Sequence, residues 1–318
     1  YFNEQGVDLK VISGDDPITV SSIAKRAGLN NAHHYVDATT LSTSEEITEA
    51  LNKYSVFGRV TPQQKKAMVV ALKQQGHTVA MTGDGVNDVL AFKEADCSIA
   101  MASGSDAAKN AANLVLLDNN FDAMPHIVDE GRRVINNITM SASMFLIKTI
   151  FSALIAISTI FFGQAYPFEP IQLSLISACG VGIPTFFLTY EANFARVEGK
   201  FLETVLEKSF PSAFTIAIGA TLITNIGLAL NYDPNMLSTV CILFTGWNYT
   251  IALLKIYRPL TKYRKFIIYS TQFCYYISMM IGQSILELTG VSFNWLMILL
   301  GLIAFSSIIV DLSAELFK

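Results

Sequence analysis

The segment Thr82-Gly83-Asp84-Gly85-Val86-Asn87-Asp88 places two carboxylates and a carboxamide on one glycine-bearing turn, directly after an apolar run. Oxygen ligands gathered this way suit Mg2+, a hard cation that also takes phosphate oxygens and water. The glycines let the backbone approach such a ligand closely. Asp, Asn and Gly are also common turn residues, so a lone Gly-Asp-Gly would read as a surface turn. The full string is more specific, because Lys65 lies upstream and Ser13-Gly14-Asp15 forms a second Gly-Asp segment after another apolar run.

These residues need elements to hold them. Apolar runs at Leu9–Ile12, Tyr35–Val36, Val56–Phe57, Thr78–Met81, Cys97–Ala100 and Leu114–Leu117 read as strands. Helical patterns alternate with them, and one opens on Thr61 as N-cap with Pro62 as first helical residue. Alternating strands and helices predict a parallel sheet with helices on both faces, with ligands at the carboxyl ends of the strands. Both Gly-Asp segments fall at such ends.

Beyond Arg133 the composition changes. Up to there the chain holds 12 Lys and Arg against 17 Asp and Glu; the longer remainder holds 10 and 9. Over the whole chain 52% of residues are hydrophobic and 15% charged, which excludes a disordered protein and an ordinary soluble enzyme. Net charge −4 and pI about 5.6 give no footprint for nucleic acid. Cys97, Cys179, Cys241 and Cys274 lack CxxC pairing and read as buried thiols. Six apolar runs, near 140–162, 171–190, 212–231, 236–255, 265–286 and 293–312, approach the roughly 20 residues that cross a bilayer. The connections carrying Arg196, Lys200, Lys208 and Arg258, Lys262, Arg264, Lys265 alternate with connections lacking Lys and Arg. By the positive-inside rule the basic connections, residues 1–133 and the C-terminus at Lys318 are cytoplasmic. The organisation expected is a domain over 1–133 and a six-helix transmembrane domain over 134–318.

The string MTGDGVNDVLAFKEADCSIAM resembles the hinge-side motif of P-type ATPases, ion pumps that form an aspartyl-phosphate. SGD at 13–15, TPQQK at 61–65, NAANLVLLDNNF at 110–121 and the GRRVINN entry to the first span extend the resemblance along nearly the whole chain. It implies an α/β Rossmann-like domain of haloacid dehalogenase type followed by an all-α transmembrane bundle, in the plasma membrane of a bacterium. It implies Mg2+ as cofactor, ATP as substrate, and a transported cation and the lipid bilayer as partners. By the same resemblance Asp84 holds the metal, Asn87 and Asp88 order the phosphate site, and Asp88 also joins the metal shell. Lys65 pairs with the transferred phosphoryl, Ser13 and Gly14 donate hydrogen bonds to it, and Asp15 lies near the nucleotide. Leu90 stands where the family usually has proline, and Ser13 where it usually has threonine; neither removes a functional group. The family's DKTG motif is absent, so the chain is expected to be the C-terminal part of a pump, inactive alone.

A charge within a bilayer costs roughly 2.5–3.5 kcal/mol on insertion scales, which singles out Lys148, inside the first run. Aligned with calcium pumps, Ser152, Ser177 and Gly180 stand near positions where those pumps carry oxygen ligands. Gly180, Gly182 and Pro184 would either unwind the second run and free carbonyls, or allow close helix packing. Two rivals to a cation pump are a pump-derived lipid flippase and a membrane-tethered phosphatase of the same superfamily.

Overall fold

The computed structural model describes residues 1–197 and 199–316, so the expected placement of Lys318 lies outside the described residues. The chain forms two compact units, Tyr1–Val128 and Asp129–Lys318.

The first unit alternates strand and helix: β1 Val11–Ile12, α1 Pro17–Arg26, β2 Tyr35–Asp37, α2 Ser44–Lys53, β3 Val56–Gly58, α3 Pro62–Gln74, β4 Ala80–Gly83, α4 Val89–Glu94, β5 Cys97–Met101, α5 Asp106–Ala111 and β6 Leu114–Leu116. Every pairing is parallel, but the strands make two three-stranded sheets, ordered β1-β3-β2 and β4-β5-β6, rather than one. The two strands that lead into the Gly-Asp segments, β1 and β4, are each the last strand of a sheet and pair on one side only. Central β3 is wholly buried, as an apolar strand covered on both faces must be. Phe57 packs with Ile47, Leu51 and Met68 from α2 and α3, while Val56 packs with Val20 and Ala24 from α1.

The second unit holds most of α6 Met124–Phe162, then α7 Pro170–Leu175, a π-helical segment Ile176–Gly182, α8 Ile183–Leu188, α9 Phe201–Ala229, α10 Pro234–Ile256, α11 Lys262–Ile281 and α12 Phe293–Leu316. At 39 residues, α6 is about 58 Å long, nearly twice a bilayer's hydrocarbon thickness. Among the described residues five helical stretches are long and apolar enough to cross a membrane: Phe121–Phe162, Pro170–Leu188, Phe201–Ala229, Pro234–Ile256 and Phe293–Glu315. The remaining expected run folds as α11, but Lys262, Arg264, Lys265 and Gln272 keep it below that apolar threshold. Large apolar side chains such as Ile160 (81% exposed) and Phe161 (80% exposed) face outward, which suits lipid and would be costly in water. The core is filled by Phe151, Phe244, Tyr249, Tyr275 and Trp295. Gly219 and Gly227 of α9 let α10 approach; an added Cβ there would come within 2.1 Å of Phe244 and 2.2 Å of Leu237.

Of the expected buried thiols, Cys179 and Cys241 are buried, but Cys97 is half-buried and Cys274 exposed. Cys274 lies on the outward face of α11.

Candidate functional site

The site is built around α3. Thr61 caps this helix through a capping box with Gln64: the Gln64 N–H donates to Thr61 Oγ1 at 3.3 Å, and Thr61 N–H donates to Gln64 Oε1 at 3.0 Å. Gln64 Nε2 also donates to the carbonyls of Ala38 and Leu41, at 2.7 and 3.0 Å, which fixes the helix start beside the carboxyl end of β2. The next residue is Lys65. Lower on α3, Lys66 pairs with Glu94 at 3.0 Å and Lys73 with Asp96 at 3.0 Å, holding α3 against α4.

This packing puts the Lys65 ammonium 2.6 Å from Asp88 Oδ1, in a pair 9% and 5% exposed. The second Asp88 oxygen accepts the Gly85 N–H at 3.1 Å. A Cβ on Gly83 would sit 2.4 Å from Asp88 Oδ2, so only glycine admits the carboxylate beneath the turn. Gly104 has a matching role: its Cβ would lie 2.7 Å from the Asp84 carbonyl, which accepts the Ser105 N–H at 2.8 Å. The Asp84 peptide is thereby fixed while its side chain stays exposed.

The expected site residues divide accordingly. Lys65 and Asp88 meet. Both Asp88 oxygens are engaged, so the expected second metal ligand is occupied by lysine and backbone, and Asp84 is the carboxylate of the turn left open. Asn87 is exposed beside it. Among the described residues no three His, Cys, Asp or Glu side chains form a metal cluster. The donor set of the turn, one open carboxylate with a carboxamide near it, fits Mg2+ that retains waters and takes phosphate oxygens.

Ser13 follows β1. Its Oγ donates to Asp15 Oδ2 at 3.1 Å and accepts the Asp15 N–H at 3.2 Å, forming a closed local turn. Gly14 stands in open space, with only the Val60 carbonyl 3.9 Å from where a Cβ would lie. Sequence reasoning missed Arg59. It adopts a left-handed backbone with φ +52°, and its guanidinium bridges Asp16 and Asp37, each at 2.8 Å. The Asp15 carbonyl accepts its N–H at 2.8 Å. Hydrogen bonds from the Thr39 hydroxyl and N–H, with Arg59 adding charge, hold the Asp37 carboxyl below its ordinary range. Arg59 thus ties the ends of β1, β2 and β3 together. Its type and its place just after β3 were the available signal.

In the second unit, Lys148 of α6 donates to Ser177 Oγ and, at 3.5 Å, to the Leu173 carbonyl. Ser177 Oγ donates in turn to Leu173 O at 2.7 Å. Lys148, Ser152 and Ser177 line one groove of about 780 Å³, with Val181, Leu202 and Val205. Gly180 is not in it: its Cα faces α10, and a Cβ would lie 3.4 Å from the Tyr249 ring. Gly180 and Gly182 do not unwind the second span; the turn widens to a π-helix and the chain stays helical. The bundle's Glu191 and Asp311 are both paired. Arg264 Nε donates to Glu191 at 2.7 Å, and Lys255 to Asp311 at 2.7 Å.

Residues 1–96 match the family of haloacid dehalogenase-like hydrolases. The chain is 43% identical over 279 residues to the "Probable cation-transporting ATPase exp7" of Streptococcus pneumoniae, covering 84% of this chain and 35% of that protein. It is 44% identical over 235 residues to the "Calcium-transporting ATPase CtpE" of Mycobacterium bovis, covering 70% of this chain and 29% of the relative. It is 35% identical over 199 residues to the "Probable cation-transporting ATPase F" of Mycobacterium tuberculosis, covering 59% and 22%. The chain therefore spans about a third or less of the length of these relatives.

Proposed function

Because this chain carries a haloacid dehalogenase-like domain and is homologous over most of its length to cation-transporting P-type ATPases, we propose that it works within an ATP-driven cation pump that passes through an aspartyl-phosphate. The observation that carries the reading is the buried Lys65–Asp88 pair beneath an open Asp84, at the carboxyl end of β4. A buried ion pair that only held the fold would gain little over apolar packing. One that holds a lysine at the edge of a carboxylate turn keeps a positive charge ready for a phosphoryl group.

Mg2+ at Asp84, with Asn87 beside it, would offset charge on the phosphoryl as it transfers. Asp88 orients Lys65 and, through Gly85 N–H, shapes the turn. To bind a phosphoryl group the Ser13 hydroxyl would turn its proton from Asp15 Oδ2 to a phosphate oxygen, with the Gly14 N–H donating to another. The phosphorylated aspartate would come from a strand of the pump outside this chain. The one-sided pairing of β1 and β4 supports that reading, since a strand laid between them would join the two sheets and bring its carboxyl end to both Gly-Asp segments.

The protein is an integral membrane protein. We place residues 1–133 and the basic connections on the cytoplasmic side of a bacterial plasma membrane, with α11 as a sixth, more polar membrane helix among its neighbours. Lys148, hydrogen-bonded in a groove with Ser152 and Ser177, acts as a fixed countercharge along the ion's path. The relatives include a calcium transporter, but the described bundle buries no carboxylate, so the cation's identity is open to the test that follows.

The full-length pump in proteoliposomes should hydrolyse ATP with stimulation by one cation. Its Asp84→Asn variant should form phosphoenzyme below about one-hundredth of the wild-type level. Stimulation by a phospholipid would replace the pump with a flippase; indifference to every solute would leave a phosphatase; normal phosphoenzyme in the variant would remove Asp84 from the metal site.

A further inference from the structure

The passage from α10 into α11 carries the cations Arg258, Lys262, Arg264 and Lys265. Arg264 turns inward, where it is 4% exposed and pairs with Glu191 at 2.7 Å. Lys262 and Lys265 are exposed, and among the described residues neither pairs with a carboxylate. Both stand at the start of α11, where the helix dipole disfavours positive charge. The fold by itself gains nothing from placing them there.

Helix geometry shows which face they share. Lys262, Phe266, Tyr269 and Phe273 are spaced i, i+4, i+7 and i+11, so they form one stripe, with Lys265 beside it one turn before Tyr269. The three aromatic side chains are 68%, 56% and 65% exposed. The opposite face, with Arg264, Ile268 and Tyr275, is buried. From Lys262 to Phe273 the stripe runs about 16 Å along the helix, close to one leaflet's share of a hydrocarbon core roughly 30 Å thick. Aromatic rings offer a large apolar area to whatever lies along them.

We infer that this face of α11 binds one anionic phospholipid, its phosphate held by Lys262 and Lys265 and an acyl chain lying along Phe266, Tyr269 and Phe273. Charge complementarity selects the occupant. Two ammonium groups without carboxylate partners, at one end of a leaflet-long apolar stripe, match a negative headgroup on a hydrocarbon tail. A zwitterionic lipid brings its own ammonium to the same place, and an apolar helix brings no charge. Arg258, exposed on the same connection, strengthens the local field. A basic connection that only set the orientation of the chain would need no particular helix face, whereas Lys262 is in line with the aromatic stripe. The site rests on α11 crossing the bilayer, which labelling within 283–291 tests separately. It does not rest on the transported ion or on phosphoryl transfer.

The test is native mass spectrometry of the full-length protein released from nanodiscs of equimolar phosphatidylglycerol and phosphatidylcholine. With two lysines at the headgroup, the retained lipid should favour phosphatidylglycerol roughly 30-fold. Lys262→Gln with Lys265→Gln should unfold in detergent as the wild type does and retain the two lipids equally. Phe266→Ala with Phe273→Ala should retain several-fold less phosphatidylglycerol. Arg196→Gln with Lys200→Gln, which removes the same charge from another basic connection, should keep the preference. Equal retention or no retained lipid in the wild type, a preference that survives loss of Lys262 and Lys265, or a preference lost as fully without Arg196 and Lys200 would each overturn the site.

Discussion

Lys65 and Asp88 form a buried contact whose part in stability can be separated by experiment from the chemistry proposed for it. The pair is nearly inaccessible, so removing one partner strands a charge in a low-dielectric site. Lys65→Ala should destabilise the first unit by about 3–5 kcal/mol, measured by chemical denaturation of the full-length protein. The double variant Lys65→Met with Asp88→Leu should recover most of that loss while phosphoenzyme formation stays absent. Recovery of both would make the pair purely structural. Much of this site was legible beforehand: carboxylates, glycines and a lysine at fixed spacing said what the chemistry needed. What sequence could not say was which carboxylate would be spent on the lysine. That choice depends on where α3 lands against α4, and so on packing between residues 23 positions apart. Arg59 was hidden for the same reason, since its partners Asp16 and Asp37 come from two other strand ends.

At the scale of elements, α11 is the instructive case. Its sequence suggested a span, yet its first turn is cationic and its centre carries Gln272 and Thr271. The structure accounts for the polarity. Arg264, 4% exposed, donates from Nη1 to the carbonyls of Tyr257 and Pro259 at 3.0 and 3.1 Å, and from Nε to Glu191. Thr261 Oγ1 donates to the same Glu191 oxygen at 3.0 Å, and the Tyr263 hydroxyl to Phe187 O at 2.9 Å. The start of α11 is thus bound to the end of α8, where Asn137 of α6 also donates to Thr189 O at 3.0 Å. Replacing Arg264 with Leu, leaving a partly exposed Glu191 and two freed carbonyls, should cost about 2 kcal/mol. In a pump it should reduce transport more than phosphorylation; equal reductions would confine the residue to folding. Helix type was readable from periodicity here. The π-helical turn was not, because Gly180, Gly182 and Pro184 are compatible with unwinding, close packing or a widened turn, and the choice depends on packing such as that of Gly180 against the Tyr249 ring.

For the molecule as a whole, the shift from an acidic first part to long apolar helices was plain from composition, and two units follow it. The single sheet expected from alternating elements appears as two, because periodicity predicts strands but not which edges meet. The topology is testable with membrane-impermeant labelling of single cysteines in intact cells. Positions in 196–200 and 258–262 should both resist label from outside, and positions in 283–291 should react. Protection of 283–291 would mean that α11 does not cross. The unpaired flanks of β1 and β4 carry a practical corollary. Two rows of free backbone donors and acceptors make a ready template for a foreign strand, so the first unit expressed by itself should self-associate or precipitate. A peptide supplied in trans that paired along those edges would cover the exposed donors and acceptors and restore solubility.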